Sequence, residues 1–216
     1  MSSRVAIWGA SGHARVVVDA LRLSEPGSVA GFLDDNPARV GENFAGGRIL
    51  GGQSALDDLL RDGVRRIHIA IGHCGTRVRL AALARARGFE LCAIVHPSAI
   101  IASDAEIGAG SFLAAGTIVN AAARVSENVI VNTRASIDHE CQIHDGVHVG
   151  PGATLGGGVV VGNETWLGIG TQVSQLVRIG ARSIVGAGSV VVREIPDNVV
   201  AYGVPARVMR AKSPTE

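Results

Sequence analysis

Aromatic side chains are scarce in this sequence, at 3% of 216 residues, and the charged residues nearly cancel to a formal net charge of +1. A chain so balanced has no basic field for nucleic acid or for an anionic membrane surface, so neither is expected as a partner. Only three cysteines occur, Cys74, Cys92 and Cys141, and they form neither a CxxC pair nor a Cys/His cluster. Their spacing excludes a disulfide framework and a Cys-based zinc site, and it places the protein among reduced, cytoplasmic chains. No apolar run reaches the roughly 18 residues of a membrane span, and Met1 to His13 lacks a basic segment followed by a long apolar one.

Glycine and aliphatic residues are what the chain does have: 29 glycines, and 47% hydrophobic residues overall. They are ordered. Starting at Val95 and stepping by six, the chain places Val95, Ile101, Ile107, Leu113, Val119, Val125, Val131, Ile137, Ile143, Val149, Leu155, Val161, Leu167, Val173, Ile179, Val185 and Val191, none of them polar. Four residues after each comes a small or β-branched residue, from Ala99 and Ala105 to Ser189 and Ile195. A six-residue period is the mark of a parallel β-helix in which each repeat makes one short strand and one corner, with about 18 residues per coil. The large aliphatic points inward and the small residue fits near a corner. Flanking residues such as Gly108, Asn120, Asn132, Gly150, Gly156 and Gly168 are expected to supply the unusual φ values of those corners.

Ahead of the repeat the pattern changes. Arg4 to Trp8 reads as a strand, Gly9-Ala-Ser-Gly-His13 as a glycine turn, and Ala14 to Leu23 as a helix. A second strand at Ser28 to Leu33 ends in Asp34-Asp35, a helix is expected at Leu56 to Leu60, a strand at Arg66 to Ile71, and a helix at Arg77 to Arg87. This order predicts a small parallel sheet with Rossmann-like connections. The fold class is therefore an α/β Rossmann-like domain over residues 1–93, a hexapeptide-repeat solenoid over 94–195, and a C-terminal tail over 196–216. Gly9-x-x-Gly12 is shorter than the full dinucleotide fingerprint. Ser11, the amides of Gly12 and His13 and the helix N-terminus nonetheless suit a phosphate, and Asp34 and Asp35 suit sugar or base groups. A domain this small favours a single nucleotide or nucleotide-sugar over a dinucleotide.

Within the solenoid, Ser136-Ile-Asp-His-Glu-Cys-Gln-Ile-His-Asp-Gly-Val-His148 carries three histidines. Ile137, Ile143 and Val149 stay in register, so His139, His144 and His148 occupy outward or corner positions. A lone surface histidine is usually only solvated, and that is the reading for His144. His139 differs, because Asp138 precedes it and Glu140 follows it, a setting that raises imidazole basicity and holds one tautomer for general-base work. Gly157, one coil on, presents a backbone N–H with no side chain to shield it, a suitable oxyanion donor. Cys141 falls in the small-residue series and is expected to pack. No metal is expected: His139 and His144 resemble a zinc pair only in spacing, since upstream in the repeat only His96 is available as a third ligand.

The glycine turn, the Asp34-Asp35 pair, the His96-Pro97 step into the first coil, the Asp138-His-Glu-Cys141 segment and the Gly203-Val-Pro-Ala206 tail together resemble the NeuD/PglD family of bacterial sugar acetyltransferases. The resemblance covers nearly the whole chain. It implies left-handed coils, a homotrimer, acetyl-CoA as co-substrate and no metal. It implies His139 as general base supported by Glu140, and coenzyme contacts at His148, Ile169 and Ala187, the last standing where the family often has glycine. Nucleotide-sugar contacts carry over to Ser11, Gly12, His13, Asp34 and Asp35. The activity implied is N-acetylation of a nucleotide-linked amino sugar, a 4-amino-4,6-dideoxy sugar, in bacterial polysaccharide synthesis. Acetylation of a sugar or sialic acid hydroxyl uses the same base and remains an alternative, and a non-catalytic β-helix scaffold is the alternative of a different class.

Overall fold

The computed structural model describes residues 4–213. Strand β1 (Val5–Trp8) is wholly buried, and it pairs in parallel with β2 (Val29–Leu33) on one side and β5 (Arg66–Ile69) on the other. Between β1 and β2 runs helix α1 (Gly12–Ser24), which lays Ala14, Val17, Val18 and Leu21 on the sheet. The sheet order is β3-β4-β2-β1-β5-β6, where β3 is Asn43–Phe44, β4 is Gly47–Gly51 and β6 is Glu90–Leu91. Helix α2 (Leu56–Arg61) precedes β5, and helix α3 (Cys74–Ala86) joins β5 to β6. The antiparallel β3–β4 hairpin was not expected from the sequence, because Asn43 to Gly51 lacks an alternating run long enough to signal strands.

From Ile94 the chain winds as a left-handed parallel β-helix of two-residue strands. Its three sheets stack in the register the six-residue series predicts: Leu113 on Val131, Val119 on Ile137 and Val125 on Ile143. The inward aliphatics and the small residues close one continuous core that includes Cys141, which is fully buried. Two buried hydroxyls of the small series bond to the neighbouring coil: Ser111 Oγ donates to the Ser126 carbonyl at 2.8 Å and Thr165 Oγ1 to the Gly180 carbonyl at 2.6 Å.

The corner expectation needs correction. The left-handed φ values do not fall on the glycines flanking the strands but two residues later, at Gly110, Gly146, Gly158, and also at Glu140 (58°), Glu164 and Leu176. The flanking glycines answer a different demand, close approach of coils. A Cβ on Gly150 would lie 2.5 Å from the Leu167 carbonyl oxygen, and one on Gly108 2.4 Å from the Ser126 carbonyl carbon.

Beyond the last repeat the tail is not irregular. Val199–Gly203 pairs in parallel with Ile184–Val185 and turns back as Ala206–Ala211, so the first sheet of the solenoid ends in a hairpin. Outward residues of that same sheet, Ile94, Phe112 and Ile130, form a second core with α1 and β1, which docks the N-terminal domain on this face. Full burial of Phe112 alone contributes about 1.5 to 3 kcal/mol.

Candidate active site

His139 and Gly157 meet at one corner of the solenoid. The corner turn puts the His139 ring outward, and Asp138 fixes its backbone: Asp138 Oδ1 accepts from the His139 N–H at 2.8 Å and from Asn120 Nδ2 at 2.8 Å. Glu140 Oε2 lies 3.1 Å from His139 Nδ1, which fits the Nδ1–H tautomer and leaves Nε2 as the open acceptor. A Cβ on Gly157 would stand 2.5 Å from both Cε1 and Nε2 of His139, so only glycine leaves the imidazole its place. Equivalent corner amides elsewhere are capped by side chains, those of Thr133 by Asn132, Glu127 by Asp145 and Ala181 by Asp197. Residue 156 is glycine and offers no cap, and among the described residues the Gly157 N–H has no hydrogen-bond partner. A cavity of about 390 Å³ opens here, lined by Asp138, His139, Gly157, Gln172, Ser174 and Gln175. Gln172, Ser174 and Gln175 were not singled out in sequence, because they interrupt neither the inward nor the small-residue series.

His148 sits elsewhere. Its partner in the strand, Val149, points inward, so His148 faces out as the register requires, yet it is only 8% exposed because the N-terminal domain closes over it. Its ring stacks on Trp166, with centroids 5.7 Å apart and planes 11° apart, and lies 6.4 Å from the ring of His13. The amide of His13 lies in the first turn of α1, as expected. The His13 ring packs elsewhere, edge-on against Phe112 at 5.5 Å, and among the described residues Nε2 has no hydrogen-bond partner. Burial, and then the neighbouring His148, His68 and Arg77, lower the His13 pKa to about 3. Burial and Arg77 likewise lower His148 to about 4, and burial lowers the enclosed His68 to about 4. These imidazoles are neutral at physiological pH.

Ser11 is the exposed N-cap of α1, and its side chain makes no capping bond, so the first amides of this 13-residue helix remain open. Asp34 is already engaged, by an ion pair with Arg39 at 2.5 Å and by the Asn36 N–H at 3.0 Å. Asp35 Oδ1 accepts from the Gln53 N–H at 3.1 Å. Ile169 is 63% exposed and Ala187 lies one coil further at the same corner, tied to it by the Gly188 N–H donating to the Ile169 carbonyl at 2.8 Å. His144 borders a separate cavity with Asn163 and Arg178. A larger cavity of about 440 Å³, lined by His73, Cys74, Glu164, Trp166, Arg182 and Lys212, contains none of the catalytic or binding residues expected from the sequence. Among the described residues no group of three His, Cys, Asp or Glu side chains is placed to hold a metal, and no helix is long and apolar enough to cross a membrane.

Residues 4–83 match the family model of the PglD N-terminal domain. A mutant of perosamine N-acetyltransferase from Caulobacter crescentus, solved in complex with CoA and GDP-perosamine, is 40% identical, with 95% of this chain and 96% of that chain covered and a TM-score of 0.92. The chain belongs to the NeuD/PglD family of bacterial sugar acetyltransferases. Another NeuD/PglD relative, the acetyltransferase domain of PglB from Neisseria gonorrhoeae FA1090 in complex with acetyl coenzyme A, is 33% identical, with 97% and 100% covered and a TM-score of 0.90. The galactoside O-acetyltransferase of Lactococcus lactis is 58% identical over 45 residues, which are 21% of this chain and 22% of that protein. The chain therefore spans about a fifth of the length of the curated relatives it matches.

Proposed function

We propose that the protein is an acetyl-CoA-dependent N-acetyltransferase acting on the amino group of a nucleotide-linked amino sugar. The observation that carries this reading is the corner where the Glu140-held imidazole of His139 faces the uncapped amide of Gly157. As the amine nitrogen bonds to the thioester carbonyl carbon, His139 Nε2 takes the proton the nitrogen sheds, and Glu140 holds the resulting imidazolium. The carbonyl oxygen, now an oxyanion, receives the Gly157 N–H. The carbon–sulfur bond then breaks, and the proton passes from His139 to the departing thiolate. Atoms and charge balance without a covalent enzyme intermediate, which is consistent with Cys141 being buried.

The open first turn of α1 at Ser11, Gly12 and His13 supports binding of the nucleotide phosphates, with Asp34 and Asp35 toward sugar or base. His148, Ile169 and Ala187 mark the coenzyme's path. A GDP-linked amino sugar is the first candidate acceptor, because the relative at 40% identity was solved with GDP-perosamine. Association about a threefold axis is part of the proposal, supported by Ile100 and Ile118, which are 65% and 36% exposed on the solenoid's second face.

The test is thiol release from acetyl-CoA across a panel of UDP-, GDP- and dTDP-linked amino sugars and their hydroxyl counterparts. Release with an amino sugar is expected. Release only with a hydroxyl acceptor would move the reading to O-acetylation, and binding of acetyl-CoA without release to any acceptor would favour the scaffold.

A further inference from the structure

Arg77 is the most unusual charged residue in the molecule. It is 1% exposed, and among the described residues no carboxylate pairs with it. Its guanidinium instead donates to five backbone carbonyls in two domains. Nη1 donates to Ile71 and Gly72, both at 2.9 Å, in the loop between β5 and α3. Nε donates to Asn128 at 2.8 Å, and Nη2 to Gly146 at 2.7 Å and Val147 at 3.3 Å, all in the solenoid. A buried cation is costly unless its donors are satisfied, and these carbonyls provide for all of them in a planar fork that lysine cannot reproduce.

The Gly72 carbonyl is also the partner of His148 Nδ1, at 3.4 Å. On the far side of that ring, Nε2 lies 3.2 Å from Asn132 Nδ2. The orientation of the Asn132 amide is settled by its own bonds, since its oxygen accepts from the Thr133 N–H at 2.8 Å. Asn132 therefore offers His148 an N–H, Nε2 must be the acceptor, and the ring proton must reside on Nδ1, directed at Gly72.

We propose that Arg77, by fixing the Gly72 carbonyl against the solenoid, acts with Asn132 to hold His148 as the neutral Nδ1–H tautomer at the junction of the two domains. Both are positioning residues. The inference rests on the proposed coenzyme role of His148 only for its kinetic consequence. The tautomer stands on the hydrogen-bond network alone. It follows that the coenzyme meets an imidazole whose Nε2 carries a lone pair and no proton.

The experiment is nitrogen NMR of the full chain with 15N-labelled histidine, the His148 signals being assigned from a His148→Ala sample, with acetyl-CoA kinetics on the same variants. The wild type is expected to show His148 with a protonated Nδ1 and a lone-pair Nε2. Asn132→Asp replaces the donor with an acceptor at a half-buried corner and should move the proton to Nε2 or protonate the ring. Arg77→Lys should disturb the Nδ1 signal. Each should raise the KM for acetyl-CoA roughly tenfold, the size of one mis-set hydrogen bond, with nucleotide-sugar affinity within about twofold. If Arg77→Lys fails to fold, the wild-type and Asn132→Asp spectra decide. A wild-type His148 with its proton on Nε2, or a folded Arg77→Lys with an unaltered His148 spectrum, overturns the proposal. An unchanged acetyl-CoA KM in His148→Ala would instead refute the coenzyme role while leaving the tautomer to be judged by the spectra.

Discussion

The solenoid and the N-terminal domain bury apolar surface by opposite means. In the solenoid each coil repeats the one below, so a residue's environment follows from its position in a six-residue count, and 18 places along the chain means one step up the same corner. In the N-terminal domain each strand and helix has its own surroundings, and neighbours such as β1 and β5 come from segments far apart in sequence. Chemistry on the repeating scaffold is therefore readable residue by residue, while binding on the layered one depends on contacts that no local pattern encodes. His139 against Gly157 is an example of the first, and Arg39, which carries Asp34 to the distant Ala10 carbonyl, an example of the second.

The largest loss of activity is expected at the solenoid corner. His139→Ala should lower kcat by roughly 10² to 10⁴, the range for losing a positioned general base, and should leave the melting temperature nearly unchanged because the side chain is 59% exposed. His144→Ala, at a corner without an acidic neighbour on its ring, serves as the control and should leave kcat unaltered in the same thiol-release assay. An inactive His144→Ala beside an active His139→Ala would mean the base has been misassigned.

Gly157→Ala probes the placement of the His139 ring. The added methyl meets the movable ring of His139 and not backbone, so the fold should tolerate it. The ring must then swing off its line, and kcat should fall about 10- to 100-fold, by analogy with small displacements of catalytic groups. Retention of full activity would show that His139 does not work from the observed position.

The junction between the two regions should respond to acid. His13, His68 and His148 have folded pKa values of about 3, 4 and 4, below the unfolded value of 6.5. Between these limits the unfolded chain binds more protons than the folded one, so stability is full above about pH 6.5 and declines as pH falls toward 4. At pH 5 each imidazole should cost about 2 kcal/mol. Thermal melts from pH 7 to pH 5 should follow that decline, and a flat melting temperature would contradict the burial of neutral imidazoles.

Much of the solenoid was legible in sequence, including its register, the buried role of Cys141 and the pairing of His139 with Gly157 one coil on. The series of inward aliphatics suffices for this because a shift by one residue would turn every one of them outward. The corner φ values were placed two residues early, since a flanking glycine needed for coil spacing looks no different in sequence from one needed for a left-handed turn. In the layered domain the strands and helices were legible but the Asn43–Gly51 hairpin was not. Arg77 reads as one of several arginines on a surface helix, because only the docking of a whole domain takes it out of water. The burial of His148 beneath that domain has the same origin.

The proposed function divides the labour between the two regions, nucleotide-sugar on the glycine-turn domain and acetyl-CoA along the coils. Calorimetric titration of Asp35→Ala with each ligand separates the two roles. Loss of one charged hydrogen-bond acceptor should weaken nucleotide-sugar binding about tenfold or more, with acetyl-CoA affinity unchanged. Weakened acetyl-CoA binding with intact nucleotide-sugar affinity would contradict the account.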